Sequence, residues 1–204
     1  MIIAIEGIDG AGKNTLVQHL RAALDVPVEV LAFPRYAESI HAQLAQEALY
    51  GRMGDLTSSA YAMATLFALD RHGAKAQLEA GAASSSLLIL DRYVASNAAY
   101  SAARLGDDSV FDWVYDLEFS RLGLPKPALQ VYLSTPVEVA AQRASSREAQ
   151  DVSREKDKYE KDADLQAATA AAYERLAAAN WAGQWIATAD QGSIIDKVLD
   201  LVGE

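Results

Sequence analysis

A chain of 204 residues without a single cysteine is long enough for one α/β domain with a full core and too short for two ordinary domains. The missing cysteines exclude disulfides, thiolate catalysis and cysteine zinc sites, and they favour a reducing, cytoplasmic location. A net charge of −10 argues against a nucleic-acid partner, and no apolar stretch approaches the ~20 residues of a membrane-spanning helix, so we expect no nucleic acid and no membrane.

Five apolar runs bounded by turn signals are predicted strands. They occupy residues 2–5, 28–33, 87–90, 129–133 and 185–187. Longer helical patterns separate them, and this alternation predicts parallel strands joined by crossover helices. We therefore expect a single α/β domain over residues 1–204.

The first predicted strand leads directly into a phosphate-binding loop. Gly7 and Gly12 bracket four residues, Lys13 follows, and a helical pattern of leucines begins just beyond. Backbone N–H groups of such a loop converge on phosphate oxygens, the helix N-terminus adds its dipole, and the lysine reaches the β- and γ-phosphates. We predict that the phosphates of a nucleotide bind here, through Gly7, Gly10, Ala11, Gly12, Lys13, Asn14 and Thr15.

Asn14 stands where such loops usually carry a Ser or Thr hydroxyl for Mg²⁺. An amide oxygen can bind magnesium, but without the usual hydroxyl geometry. We therefore expect Mg²⁺ to depend on carboxylates, and the candidates are Asp9 in the loop, Asp91 after the third strand, and Glu160. The alternative for Asp91 is a strand-end residue that caps the next helix.

Arginines follow the second and the third predicted strands. Arg35 lies in the sequence FPRY and Arg92 in the sequence DRY. Ligands of doubly wound sheets bind beyond the carboxyl ends of the strands, so both side chains should approach the phosphate loop, although surface ion pairs are the alternative. A nucleoside hydroxyl needs a carboxylate base, whereas a monophosphate is already anionic and is held by arginine. The pattern favours a nucleoside monophosphate kinase over a nucleoside kinase.

Two helical faces could hold a nucleoside. Phe67 and Arg71 are four residues apart with Asp70 beside them, which gives a ring and a guanidinium suited to a pyrimidine. On spacing alone, a core phenylalanine and a surface ion pair are the simpler interpretation. After the third strand, a second helical region carries Ser96, Asn97, Tyr100 and Arg104.

The region from 143 to 161 is highly charged, with six Lys or Arg residues against five acidic ones. Phosphoryl transfer needs positive charge over the phosphates, which favours a mobile basic flap. A solvated helical surface is the alternative.

A regulatory GTPase would use a similar phosphate loop. It would read guanine through an Asn-Lys-x-Asp stretch, which the sequence lacks. The sequence DRHG at 70–73 is similar to a GTPase switch motif, but it lies inside a helical pattern rather than at a strand end. The switch interpretation is therefore weak.

Five segments spread along the chain carry a resemblance to a known family: GIDGAGKNT, FPRY, YAMATLFALDR, LDRYVASNAAYSAAR and RLGLPKP. Together, and in this order, they resemble bacterial thymidylate kinase in its actinobacterial form. The resemblance implies a P-loop kinase fold with a five-stranded parallel sheet flanked by helices, a homodimer, and ATP-dependent conversion of dTMP to dTDP. The alternatives are a kinase for another monophosphate or a deoxynucleoside, and a nucleotide-binding regulatory module.

By this resemblance, the two helical faces bind the nucleoside. Phe67 would stack on thymine, Arg71 would bind its O4, and Asn97 would read the N3 edge. Tyr100 would crowd the 2′ position of the sugar and, with Asp9, lie near the 3′-hydroxyl. The further expected substrate contacts are Asp70, Ser96, Arg104 and Tyr159.

The acceptor phosphate and the lid also follow by resemblance. Arg92 would bind the phosphate of dTMP, and Phe33, Arg35 and Tyr36 would surround it. The lid would span about 144–157, and the arginines in its region are Arg143, Arg147 and Arg154. Glu160, in a D-x-Y-E segment, would help to place Mg²⁺ near the acceptor phosphate.

Asn14 departs from the Ser, Thr or Arg that family members have at its position. If a loop arginine normally assists the transfer, the lid must contribute more here, and we expect that role for Arg147, with Arg154 as the alternative. Arg143 and Arg154 are expected to bind ATP. The expected catalytic residues are therefore Asp9, Lys13, Arg92 and Arg147.

Overall fold

Five parallel strands form one sheet in the order β2-β3-β1-β4-β5 in the computed structural model, which describes residues 1–150 and 157–203 apart from the side chains of 147–150. The strands are β1 Ile2–Glu6, β2 Val28–Ala32, β3 Leu87–Asp91, β4 Leu129–Leu133 and β5 Trp185–Thr188. The five predicted strands and their parallel arrangement are confirmed, and no boundary moves by more than one residue.

Helices cover the sheet and connect its strands. They are α1 Lys13–Ala23, α2 Ile40–Leu49, α3 Ala60–Gly73, α4 Lys75–Ala83, α5 Val94–Leu105, α6 Val110–Tyr115, α7 Val137–Gln150, α8 Ala163–Ala178 and α9 Gln191–Gly203. A 3₁₀ turn spans Leu56–Ser58, and a π-helical segment, Asp116–Arg121, continues α6. In the part of the chain described, none of these helices is long and apolar enough to cross a membrane.

Side chains just before several helices fix where those helices begin. Ser39 and Ser59 accept hydrogen bonds from the backbone N–H groups of Ala42 and Ala62, at the start of α2 and α3. Asp162 caps α8 in the same way. Such side chains satisfy N–H groups that a helix itself leaves without partners.

The core is divided by the sheet, because neighbouring strand residues face opposite sides. Ile3 and Ile5 pack in one cluster with Leu16 of α1 and Ile194 of α9, whereas Ala4 lies in the other cluster with residues of α5 and α8. Burial on both faces accounts for the continuous apolar runs in the sequence. Helices thus pack on both faces of the sheet, and the carboxyl ends of the strands provide fixed positions for the residues of a site.

The predicted lid at about 144–157 is only partly described. Helix α7 runs through its first part as far as Gln150, and residues 151–156 lie outside the described residues.

Candidate active site

A cavity of about 590 Å³ opens at the carboxyl ends of β1, β2 and β3. The residues with a predicted role that line it are Asp9, Phe33, Tyr36, Phe67, Arg71, Arg92, Ser96, Asn97, Tyr100, Tyr159 and Glu160. The other residues of the lining are Pro34, Gln46, Leu49, Tyr50 and Asp157. The two helical faces and the strand ends singled out in the sequence therefore meet around one space.

The phosphate loop is wedged against the backbone of α7. A Cβ atom on Gly10 would lie 2.0 Å from the carbonyl oxygen of Ala140, and Gly10 also has a left-handed φ of +85°. Only glycine meets both conditions without displacing the loop. On the other side, the hydroxyl of Thr135 donates to the carbonyl oxygen of Ala11. The loop conformation is thus set by backbone contacts as well as by its own sequence.

Lys13 is folded back on its own loop. Its Nζ donates to the carbonyl oxygens of Gly7 and Ile8, at 3.2 Å each, and the side chain is buried. Burial, and after it the positive charge of Arg92, lower the pKa of Lys13 to about 8, although the neighbouring carboxylates oppose this shift. An incoming phosphate would add negative charge beside the ammonium group and so raise the pKa of Lys13.

Arg143 is the predicted lid-region arginine whose side chain is described. Its Nη1 lies 3.5 Å from the position that a Cβ atom on Gly12 would occupy, and the amide nitrogen of Gln191 lies 3.8 Å from the same point. His19 hydrogen-bonds the other end of the Gln191 amide at 2.7 Å. Positive charge from α7 therefore stands beside the loop. The side chain of Arg147, and Arg154 as a whole, lie outside what is described.

Asp9, Arg92 and Tyr100 form a bonded group at the wall of the cavity. Arg92 Nη2 donates to Asp9 Oδ1 at 2.6 Å, and the Tyr100 hydroxyl donates to Asp9 Oδ2 at 3.1 Å. Burial opposes ionisation of Asp9, but the charges of Arg92 and Lys13 outweigh it and hold the pKa of Asp9 well below its usual range. Asp9 is therefore an ionised anchor for Arg92 and a poor proton acceptor.

Glu6, to which the sequence analysis gave no role, holds the backbone immediately after Arg92. Arg92 has a left-handed φ of 67°, and the next backbone N–H, of Tyr93, donates to Glu6 Oε1 at 2.9 Å. The hydroxyls of Ser96 and Tyr173 donate to Glu6 Oε2 at 2.5 and 3.1 Å. Burial raises the pKa of Glu6, and these hydrogen bonds oppose the shift. An acidic residue at the end of an otherwise apolar buried strand was the one sequence signal for this role.

A second buried group lies behind the cavity lining, where Glu118 contacts two residues that line the cavity. Arg71 Nε and Nη2 donate to the two carboxylate oxygens of Glu118 at 2.5 and 2.7 Å. The amide nitrogen of Asn97 donates to Glu118 Oε1 at 2.7 Å and to the carbonyl oxygen of Ala64 at 3.0 Å. Glu118 lies in the π-helical segment, and no sequence motif indicated it.

Tyr159 closes the cavity beside Tyr100. The two rings are stacked, with centroids 6.0 Å apart and planes 13° apart. The carboxylate of Asp157 accepts from the backbone N–H groups of Tyr159 and Glu160 and so holds this turn. The Tyr159 hydroxyl is buried without a hydrogen-bond partner among the described residues, and burial raises its pKa to about 12.

Three predicted substrate contacts do not line the cavity. Arg35 and Asp70 are bound to each other, through Arg35 Nε and Asp70 Oδ1 at 3.0 Å and through the Arg35 backbone N–H. Arg104 donates to the carbonyl oxygens of Thr57 and Ser59, and its guanidinium lies 5.1 Å from the centroid of the Tyr159 ring. These side chains hold neighbouring elements together, and their direct substrate contacts stay predictions.

The predicted carboxylates do not gather into a metal-binding cluster. Among the described residues, no group of three or more His, Asp or Glu side chains is placed to hold a metal ion. Asp91 Oδ1 is nevertheless buried, near the charge of Lys13, and no side chain or backbone group in the described part of the chain hydrogen-bonds it. Magnesium usually binds through one or two carboxylates together with substrate phosphates and water, so this lone oxygen fits such an ion. Asn14 and Thr15 are exposed on the first turn of α1.

Comparison with known proteins agrees with this geometry. Residues 5–198 match the family model of thymidylate kinase. The chain is 53% identical over 192 residues to the thymidylate kinase of Mycobacterium tuberculosis, covering 91% of this chain and 90% of that one. It is 35% identical over 149 residues to the thymidylate kinase of Dictyostelium discoideum, covering 70% and 62%.

One solved structure supports the fold. The thymidylate kinase from Candida albicans superposes with a TM-score of 0.73 at 20% sequence identity, covering 99% of this chain and 90% of that one. At this identity, the similarity supports the fold alone.

Replacing Gly10 by alanine should weaken ATP binding at least about tenfold, because the new Cβ would collide with the backbone of α7. Gly51→Ala is the matched control, since Gly51 has a similar φ of +76° but open space around it. Calorimetric titration with ATP measures both variants. Gly51→Ala should bind ATP normally. Tight binding of ATP by Gly10→Ala would contradict the proposed effect of the contact between Gly10 and α7.

The ATP association constant should fall as the pH rises above about 8, by up to tenfold per pH unit, as Lys13 loses its proton. The protonated lysine binds phosphate and is fully present below that pH. Titrations between pH 6.5 and 9.5 test this, with circular dichroism as a check on folding. Lys13→Arg stays protonated and should show no such decline, and a flat wild-type profile would refute the assignment.

Proposed function

The chain belongs to the thymidylate kinase family, and from this premise we propose that it transfers the γ-phosphate of ATP to dTMP, giving dTDP and ADP. The observation that carries the proposal is the position of Arg92. It lines the cavity, is bound to Asp9, and lies close enough to Lys13 to lower the pKa of that residue. An acceptor that binds there needs its own negative charge, and a nucleoside monophosphate has it.

ATP binds through the phosphate loop in this proposal. Backbone N–H groups from Gly7 to Thr15 surround the β- and γ-phosphates, and Lys13 leaves the carbonyl oxygens of Gly7 and Ile8 to reach them. Arg143, beside Gly12, adds positive charge on the donor side. Arg147 and Arg154 would extend this charge over the transferring group.

The transfer requires no general base. An oxygen of the acceptor phosphate attacks the γ-phosphorus, the bond from that phosphorus to the β,γ-bridging oxygen breaks, and ADP leaves with the electron pair. Asp9 remains ionised and keeps Arg92 oriented, which suits positioning rather than proton transfer. Lys13 and the loop neutralise the charge that develops on the leaving oxygen.

Magnesium would bind between the donor phosphates and the carboxyl end of β3. Asp91, with its partnerless buried oxygen, is the residue best suited to hold it, with Asp9 and Glu160 as the other candidates. When bound, the ion neutralises charge on the β- and γ-phosphate oxygens. Asn14 is exposed on the first turn of α1, and its part in metal binding stays a prediction.

The opposite end of the cavity suits the nucleoside. Phe67 offers a ring for stacking, Arg71 and Asn97 offer polar groups to a base edge, and all three line the cavity. The stacked rings of Tyr100 and Tyr159 flank the space between base and phosphate, where the sugar would lie. A ribose 2′-hydroxyl would have to fit against Tyr100, so deoxyribose is favoured.

An acceptor panel tests this function. With ATP and magnesium, ADP release should be fastest with dTMP, slower with dUMP, ribothymidine monophosphate, dCMP, AMP and GMP, and absent with thymidine, which has no anionic oxygen for Arg92. A reaction without acceptor measures background hydrolysis. Faster turnover with thymidine than with dTMP would refute the reaction without a base, and binding of ATP without turnover of any acceptor would favour a regulatory module.

The chain would act as a homodimer in the cytoplasm. The dimer is expected from the family resemblance, and an exposed apolar patch of Tyr61 and Trp113 supports it: Tyr61 is 43% exposed and packs edge-on against the half-buried Trp113. The absence of cysteine suits a reducing compartment.

Light scattering after size-exclusion chromatography should give twice the chain mass of 21.9 kDa. Tyr61→Glu places a charge in the patch and should give the monomer mass. Leu199→Glu is the control, since Leu199 is 41% exposed on α9 and should leave the dimer intact. A monomeric wild-type protein would overturn the dimer without touching the proposed reaction.

A further inference from the structure

Glu118 is fully buried behind the base end of the cavity, although it does not line the cavity itself. It is held in the π-helical segment Asp116–Arg121, whose widened turn carries its side chain to Arg71 and Asn97. A buried carboxylate is retained only when its charge and hydrogen bonds are satisfied, and here two cavity residues satisfy them.

The hydrogen bonds fix which way the Asn97 amide faces. Its nitrogen donates to the carbonyl oxygen of Ala64 and to the carboxylate of Glu118, and both partners can only accept. A flipped amide would set its oxygen against two other oxygens. Both N–H groups of the amide are therefore used, and Oδ1 is the atom that Asn97 can offer to a base.

Arg71 is fixed in the complementary sense. Its Nε and Nη2 donate to Glu118, which leaves Nη1 for the cavity, and a guanidinium can only donate. Burial by itself would lower the pKa of Arg71, but the ion pair with Glu118 outweighs it and the net shift is upward. The wall therefore presents one acceptor, from Asn97, and donors, from Arg71.

We propose that Glu118 is the specificity-determining positioning residue of this site: it holds Asn97 as an acceptor and Arg71 as a donor, so that a 4-oxopyrimidine with an N3–H is selected over a 4-aminopyrimidine. Thymine and uracil offer a donor at N3 beside an acceptor at O4, which matches the wall. Cytosine has an acceptor at N3 beside a donor at N4, which opposes it at both positions. The inference deepens the proposed function, on which it rests.

Glutamine cannot replace Glu118 in this role. It has one acceptor oxygen instead of two, and its NH₂ group would face the N–H groups of Asn97 or Arg71. One of these cavity residues must then turn away, and the wall no longer has a single pattern of donors and acceptors. A site built around hydrogen bonds discriminates strongly because the wrong ligand leaves buried groups unpaired.

The test is the ratio of kcat/KM for dTMP to kcat/KM for dCMP, together with the binding affinities of both nucleotides. Glu118→Gln should lower the ratio at least about tenfold, mainly through a higher KM for dTMP. Asp116→Asn is the matched control: it removes one negative charge from the same segment, but Asp116 pairs with Arg121 at the surface. The control should keep the wild-type ratio within about twofold.

A merely structural role for Glu118 predicts a different result, namely equal losses for both nucleotides and an unchanged ratio, and that result overturns the proposal. If Glu118→Gln fails to fold by circular dichroism, Glu118→Asp takes its place. The carboxylate is then withdrawn by one methylene and cannot reach both partners, so the ratio should again fall, and an unchanged ratio again overturns the proposal.

The proposed function and the role of Glu118 can be refuted separately. A wild-type protein that phosphorylates dTMP, with a ratio indifferent to Glu118, would retain the proposed function and lose this proposal. A protein that phosphorylates neither nucleotide, but binds dTMP over dCMP in a manner that Glu118→Gln abolishes, would retain this proposal and lose the proposed function.

Discussion

Buried charges that neutralise one another are the constraint on which this site depends. Glu6 and Lys13 are buried at the carboxyl edge of the sheet, and Asp9 and Arg92 are mostly shielded beside them, with side chains 26% and 14% exposed. None of them could remain there alone, because an isolated buried charge is far too costly. Each carboxylate therefore has an N–H or hydroxyl donor, and the resulting network fixes Arg92 in a left-handed conformation beside the phosphate loop.

A second compensated group, Arg71 with Glu118, lies beside the same cavity. In the proposed function, the first group neutralises and positions phosphates, so its net charge matters most. The second group sorts bases in that proposal, so the direction of each N–H matters most. The stacked rings of Tyr100 and Tyr159 line the same cavity, and Tyr100 contacts Asp9 and Arg92 of the first group. In the proposed function, the first group would hold the phosphate, the second the base, and the tyrosine rings the sugar.

The sequence predicts what depends on local pattern. It predicts the strand boundaries, the phosphate loop and the residues that follow the strands, because buried strands have apolar runs and turns have characteristic residues. The partners of those residues could not be predicted in this way. Nothing near Glu118 in the sequence indicates that a π-helical turn brings it to Arg71, and nothing near Asp70 shows that it accepts the guanidinium of Arg35. Such pairings join segments 35 and 47 residues apart, and only the folded arrangement of helices decides them.

The contact between Gly10 and the backbone of Ala140 has a consequence for how the protein can change over evolutionary time. Because it joins main chain to main chain, no substitution on α7 can remove it by altering a side chain. Exposed positions of α7 without a proposed role, such as Glu138, can therefore change their side chains while the helix stays packed against the phosphate loop, whereas Arg143 and Arg147 are constrained by their proposed contacts with ATP.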